Sequence, residues 1–223
     1  MRKSGQLGFT LAELLIVIMI IGLLTTFVMV NFQRGKRSNE LRQAGTELFQ
    51  NIRLAQGYSV GGNSIYYCVE GSDSNEFGSC VDDEACGGFS GQFDYCKNGV
   101  PQGGYGINIS LPSSYSLFAN TDYENFYFMG NDQVILSKDY YLKGITIDSF
   151  EIGGTVYSPS VDSLDVIFEP PQGTIHFYVS TLPVEETYAY LLVKSQYVPD
   201  SCRKITINRI SGQISESQSS CSL

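Results

Sequence analysis

The sequence has no tryptophan, a single histidine (His176) and no cysteine pair spaced as C-x-x-C. A zinc site normally needs closer thiols or more imidazoles, so that chemistry is disfavoured. Basic residues are also few: 14 Lys and Arg stand against 23 Asp and Glu, a formal charge of −9. A chain of that sign repels phosphate backbones, which argues against general nucleic-acid binding. No G-x-S-x-G, P-loop or dinucleotide fingerprint occurs. Ser90 in "GGFSGQFDYC" is not in a nucleophile elbow, and His176 in "GTIHFYVS" reads as a strand histidine with no second or third ligand. These absences point away from an enzyme, and no cofactor is expected.

Proline is missing from Phe9 to Tyr58, and formal charge is missing from Leu14 to Gln33. Leu14 to Val30 is nearly all apolar. As a helix those seventeen residues span roughly 26 Å at about 1.5 Å per residue. With the flanking Phe9–Ala12 and Asn31–Phe32 they suffice to cross a hydrocarbon core of about 30 Å. Backbone groups in lipid must be satisfied internally, so a spanning segment has to be helical. A cleaved secretory signal would show small residues after the apolar run. "TTFVMVNFQRGKR" follows instead, which argues against ordinary signal removal.

The helical signal then changes character. In "RSNELRQAGTELFQNIRLAQGYSV" the positions Leu41, Ala44, Leu48, Ile52 and Ala55 step by three, four, four and three, one apolar stripe at helical period. The simplest reading is one helix of about fifty residues, greasy all round in its first half, amphipathic in its second, and ended by Gly61 and Gly62. The second half can pack on a sheet. The first is left for lipid or for neighbouring copies.

The six cysteines, Cys68, Cys80, Cys86, Cys96, Cys202 and Cys221, all follow the apolar segment, and an even count fits disulfides in an oxidising compartment. Six cysteines allow 15 connectivities. Cys202 with Cys221 is the preferred pair, and the other four would staple residues 68 to 96. The stretch "GSDSNEFGSCVDDEACGGFSGQFDYCKNGVPQGG" reads as a long acidic loop on the surface. Its Asp73, Asp82, Asp83 and Glu84 do not fit an EF-hand spacing, so a solvated loop is preferred to a calcium site.

With 15 Tyr, 13 Phe and 23 Gly, the remaining body is strand-rich and turn-rich. Strands are expected at "SIYYCVE", "YGINISL", "SYSLFA", "NFYFMG", "QVILSK", "GITIDSFEI", "SLDVIFE", "GTIHFYVS", "TYAYLLVKS" and "RKITINRISGQISES". Period-two alternation sets Ile145 and Ile147 on one face, Leu164, Val166 and Phe168 on another, and Ile205 with Ile207 on a third.

"GQLGFTLAELLIVIMIIGLL" resembles the prepilin N-terminus shared by type IV pilins and type II secretion pseudopilins. The resemblance rests on a short basic leader with Arg2 and Lys3, then Gly8, Phe9, Thr10, Leu11 and Glu13 in fixed order. It implies cleavage by a prepilin peptidase between Gly8 and Phe9, with N-methylation of the new Phe9 amine. It also gives Glu13 a role. A carboxylate among apolar side chains is costly unless paired, and the protonated amine of an adjacent subunit would be its partner in a filament. That reading is preferred to a carboxylate resting in the headgroup layer. "VIFEPPQG", "YAYLLV" and "KITINRISGQI" further resemble the GspH/FimT-like minor pseudopilins over residues 162 to 215. Some FimT-like members bind DNA through a basic C-terminal segment. Here "NRISGQISESQSSCSL" offers only Arg209 against Glu216, so nucleic acid is not an expected partner.

The implied architecture is α+β, with a long N-terminal helix packed on an antiparallel β-sheet head. Residues 1–8 would be leader, 9–33 the membrane-spanning or filament-core helix, 34–60 its amphipathic continuation, and 61–223 the head with the cysteine-rich loop 68–96. Expected partners are the prepilin peptidase/methyltransferase, other pilin or pseudopilin subunits, an inner-membrane assembly platform and membrane lipid. The expected location is the bacterial inner membrane, single-pass with the head outside the cytosol, then a filament. Charge bias does not help here, since Arg34, Lys36 and Arg37 outnumber Arg2 and Lys3 and favour the opposite topology. The disulfides set the head outside instead. A major pilin and a non-assembling membrane-anchored binding protein are the alternatives.

Overall fold

The computed structural model describes residues 10–69, 76–80, 86, 95–121, 127, 132–140 and 143–221. Residues 1–9, with the expected leader and its cleavage site at Gly8 and Phe9, lie outside them, as do Asp73, Asp82, Asp83, Glu84, Ser90 and all of "NFYFMG" except Tyr127.

One helix, α1, runs from Leu11 to Val60. Thr10 caps its start, and Gly61 follows its end with its N–H bonded to the Gly57 carbonyl at 2.8 Å. After it come β1 (Ile65–Val69), β2 (Glu76–Ser79), β3 (Tyr95–Gly99), β4 (Tyr105–Leu111), β5 (Ser114–Ala119), β6 (Gln133–Asp139) and β7 (Ile145–Ile152). The chain continues with β8 (Thr155–Tyr157), β9 (Leu164–Glu169), β10 (Thr174–Val179), β11 (Leu182–Val184), β12 (Tyr188–Ser195), β13 (Val198–Asn208) and β14 (Ile214–Ser219). This is an α+β, pilin-like arrangement of one long helix on antiparallel sheets.

Among the described residues the strands form three sheets, ordered β2-β1-β3, β11-β10-β9-β4-β5-β6 and β14-β13-β12-β7-β8. The two larger sheets share one core with α1. Leu41, Ala44, Leu48, Ile52 and Ala55 are each at most 2 % exposed. They meet Ile107 and Ile109 of β4, Val166 and Phe168 of β9, Ile147 and Phe150 of β7, Leu191 of β12 and Ile205 and Ile207 of β13. The alternating strands therefore bury the faces their sequences assign to the interior.

Among its described residues, the stretch read as one long loop contains two strands. β2 and β3 pair on either side of β1, and Cys68 on β1 lies opposite Cys96 on β3. "EFGS" and "YCKNG" lack the apolar alternation that marks a strand, and their order comes from backbone pairing and disulfides. These link Cys68 to Cys86, Cys80 to Cys96, and Cys202 to Cys221. The sulfurs of Cys68, Cys80 and Cys86 lie within 4.8 Å of one another. Each is spent on a disulfide, so none is left as a thiolate ligand.

The most deeply buried acid among the described residues sits on the other face of the six-stranded sheet. Asp165 of β9 is 2 % exposed and accepts from Asn108 Nδ2 at 2.6 Å and the Tyr127 N–H at 3.4 Å. Phe118, Ile167, Tyr178 and Tyr127 pack together on this face. Burial pushes the Asp165 carboxyl up to about 6 from 3.8, against the two hydrogen bonds that lower it. A folded-state pKa above the unfolded one means that the folded head binds this proton more tightly. Its contribution is therefore full below pH 4 and lost as pH rises through 6. At 1.36 kcal/mol per unit, the loss is about 3 kcal/mol. Denaturant unfolding across this range should show that decline in the wild type, whereas Asp165→Asn, which mimics the protonated acid, should remove it.

Candidate functional site: the N-terminal helix

The start of α1 is built by its own side chains. Thr10 Oγ1 accepts from the Glu13 N–H at 3.3 Å, and Glu13 Oε2 accepts from the Thr10 N–H at 2.9 Å and the Thr10 hydroxyl at 2.8 Å. This is a reciprocal capping box, satisfying donors that a helix start leaves open. Its sequence signal, Thr-x-x-Glu ahead of an apolar run, is present as "TLAE". Both bonds fall on Oε2, so a cation can approach Oε1 without breaking the cap. Glu13 thus has a local structural role beside any role between subunits.

From Leu11 to Phe32 the large apolar side chains described are 48 % to 80 % exposed. An 18-residue window of α1 reaches a mean hydropathy of 2.6 with none of it buried. The hydroxyls inside this segment, though exposed, are hydrogen-bonded to the helix itself. Thr25 Oγ1 donates to the carbonyls of Ile21 and Gly22, at 2.9 and 3.0 Å, and Thr26 Oγ1 to that of Leu23 at 2.8 Å. Such back-bonding lets a hydroxyl reside in an apolar medium without an external partner.

The second half of α1 is fixed to the head at several levels. Tyr140 Oη donates to Glu47 Oε2 at 3.1 Å, and Lys138 Nζ meets Glu47 Oε1 at 2.7 Å. Asn51 Nδ2 donates to Tyr115 Oη at 2.6 Å, and the two tyrosine hydroxyls lie 3.3 Å apart. Burial pushes the Tyr140 hydroxyl up, with the bond from Tyr115 adding to it. On the other side, Arg203 Nε meets Glu216 Oε1 at 3.0 Å, and Thr46 Oγ1 donates to Glu216 Oε2 at 3.1 Å. Nearer the helix end, Gln56 Nε2 donates to the Gly212 carbonyl at 2.9 Å and Ser59 Oγ to the Phe168 carbonyl at 2.6 Å. The projecting half is therefore a stiff extension of an anchored element.

The other residues singled out in the sequence do not join this site. His176 Nε2 lies 3.0 Å from Glu169 Oε2, an exposed pair between neighbouring strands. Cys202 and Cys221 close the end of β13 and β14.

Residues 3–29 match the family described as the prokaryotic N-terminal methylation motif. The match runs from Lys3 into the exposed half of α1 and stops before the head. No curated protein and no solved structure matches the chain.

Proposed function

We propose that the chain is a prepilin, cut between Gly8 and Phe9 and methylated at Phe9, whose product is a minor pilin or pseudopilin. It would enter a type II secretion pseudopilus or a type IV pilus through α1, with the head as cargo on the outside. One observation carries this reading: the segment bearing the methylation motif continues into an apolar half-helix that the head leaves uncovered. Each copy alone can place that surface only in lipid, and a bundle of copies can place it against itself. Within the 9–33 and 34–60 division, the first part supplies the spine and the second the attachment. The GspH/FimT-like features at 162–215 favour a minor over a major subunit. The partners follow from the pathway: the peptidase/methyltransferase, other subunits and an inner-membrane platform.

Glu13→Gln tests the assembly step, because glutamine keeps the capping geometry but loses the charge. Processing should proceed as in the wild type. A charge-assisted bond is worth about 1.5–3 kcal/mol, so incorporation into filaments should fall at least about tenfold by quantitative immunoblot of the sheared fraction. Wild-type incorporation would reduce Glu13 to its cap.

A further inference from the structure

The basic residues just past the apolar run contradict the charge bias expected of a non-cytosolic flank, and the filament reading gives them no task. Arg34, Lys36 and Arg37 follow the last uncharged residue, Gln33. At 100° per residue they fan around the helix as a collar. Arg34 and Lys36 are exposed. Glu40 holds two of the three, at 3.0 Å from Arg37 Nη1 and 3.9 Å from Lys36 Nζ. The guanidinium of Arg37 also covers the ring of Tyr197, its Cζ 4.1 Å from the centroid. Tyr197 lies in the turn between β12 and β13 and is 49 % exposed. Gly144 packs against Gln196 and Tyr197, while the exposed Lys143 before it turns its ammonium to the Tyr140 ring, 5.8 Å from the centroid.

These groups fall at one depth. The uncharged run Leu14–Gln33 is about 30 Å long as a helix, the thickness of a hydrocarbon core. Arg37 then lies about 6 Å past the core boundary, within the headgroup layer. Tyrosine with an apolar body and polar tip favours that layer. A surface groove along one side of α1 has the same order of polarity. Its lining runs from Val28 and Phe32, past Gly35, to Lys36, Asn39, Glu40 and Gln43. Val28 and Phe32 give the first part the polarity of an acyl chain, and in the second Lys36 offers a phosphate a cation that Glu40 holds only loosely, at 3.9 Å.

We propose that Arg34, Lys36, Arg37 and Tyr197, with the groove from Val28 to Gln43, bind the headgroup of an anionic phospholipid on the non-cytosolic leaflet. The bound lipid holds the head down on the membrane before the subunit leaves it. This inference rests on the membrane-anchored reading given above. Extraction into a filament has to break these contacts, so the collar sets a cost on leaving the bilayer.

The absence of tryptophan makes the test clean, because Tyr197→Trp introduces the sole indole. The full chain carrying it is reconstituted into vesicles of zwitterionic phospholipid, with and without an anionic phospholipid. Tyr188→Trp, at the far end of β12, serves as the control. Flotation with the vesicles reads anchoring separately from depth. The expected result for Tyr197→Trp is blue-shifted emission, quenched by lipids brominated near the headgroup and more strongly with anionic lipid. The Tyr188→Trp emission should stay solvent-like. Titrating anionic lipid into mixed micelles, Arg34→Ser with Lys36→Ser should weaken the Tyr197→Trp response about 30-fold, at about 1 kcal/mol per cation. A floating Tyr197→Trp protein with solvent-like emission in both vesicles would overturn the lipid site and leave anchoring intact. Quenching that follows protein density and ignores anionic lipid would overturn it in favour of a neighbouring copy. Failure to float would sink the site together with the anchored reading.

Discussion

Gly104→Ala should destabilise the head by about 4 kcal/mol, lowering the midpoint of thermal unfolding by about 10 °C. Gly104 has φ +83, a backbone conformation that L residues rarely adopt, and a Cβ there would fall on the Phe168 carbonyl oxygen, with Pro170 Cδ 2.9 Å away. Neither obstacle is a flexible side-chain tip. The Gly104 N–H donates to the Pro101 carbonyl at 3.1 Å and its own carbonyl accepts from Asn120 at 2.9 Å, so the residue cannot rotate without losing both. Moving Phe168 instead would disturb the carbonyl that accepts from Ser59 at the end of α1. Gly154 is the control. Its φ is +81 but nothing lies within 4 Å of its Cβ position, so Gly154→Ala should cost only about 1 kcal/mol of backbone strain. Equal effects at the two sites, by differential scanning in detergent, would mean that the contact at Phe168 is not what matters.

Leu48→Ala should cost about 3 kcal/mol. Leu48 is fully buried in the stripe that α1 presents to both large sheets, and truncation leaves a cavity that a helix held on several sides cannot collapse around. Leu15 lies on the same helix and is 60 % exposed, touching nothing that unfolding of the head would expose further. Leu15→Ala should leave the head's midpoint unchanged. The pair tests the division of α1 into an attached half and a free half. A comparable loss at Leu15 would show that the first half also supports the head.

Much of this was legible because periodicity reports burial directly. The stripe from Leu41 to Ala55 places itself on one face, and its complement, the all-round apolar run, has no face to bury. The strands with strict alternation, such as β7 with Ile145 and Ile147, could be read in the same way. What alternation cannot give is the partner. It assigns Ile107 and Ile207 to an interior without saying that they belong to different sheets clasping one helix. Asp165 shows the same limit, since alternation puts it opposite Leu164 and Val166 but not beneath Tyr127 and Tyr178. β2 and β3 are invisible to local pattern because their order is nonlocal. Polar, glycine-bearing segments become strands when β1 and the disulfides at Cys80 and Cys96 hold them in register. The capping box is different, for Thr10 and Glu13 stand at the spacing that announces it. A lone acid before a greasy run poses the question of a distant partner, and the nearer one three residues away answers part of it.

The two readings of Glu13 are compatible in time. In the single chain the carboxylate caps its own helix. In a filament the same group, through Oε1, would meet a neighbour's amine. The buried stripe and the networks around Glu47 and Glu216 keep the helix axis fixed to the head, so a stagger set at the N-terminus would be carried to the outer surface.

Entry of this chain into the prepilin pathway is the central claim. It is tested most directly by the intact mass and N-terminal sequence of the membrane-extracted protein, made with and without prepilin peptidase. The expected chain begins at methylated Phe9 when the peptidase is present, and at Met1 when it is absent. A retained Met1 in the presence of active peptidase would contradict the claim, leaving an anchored head whose apolar half-helix has no assembly role.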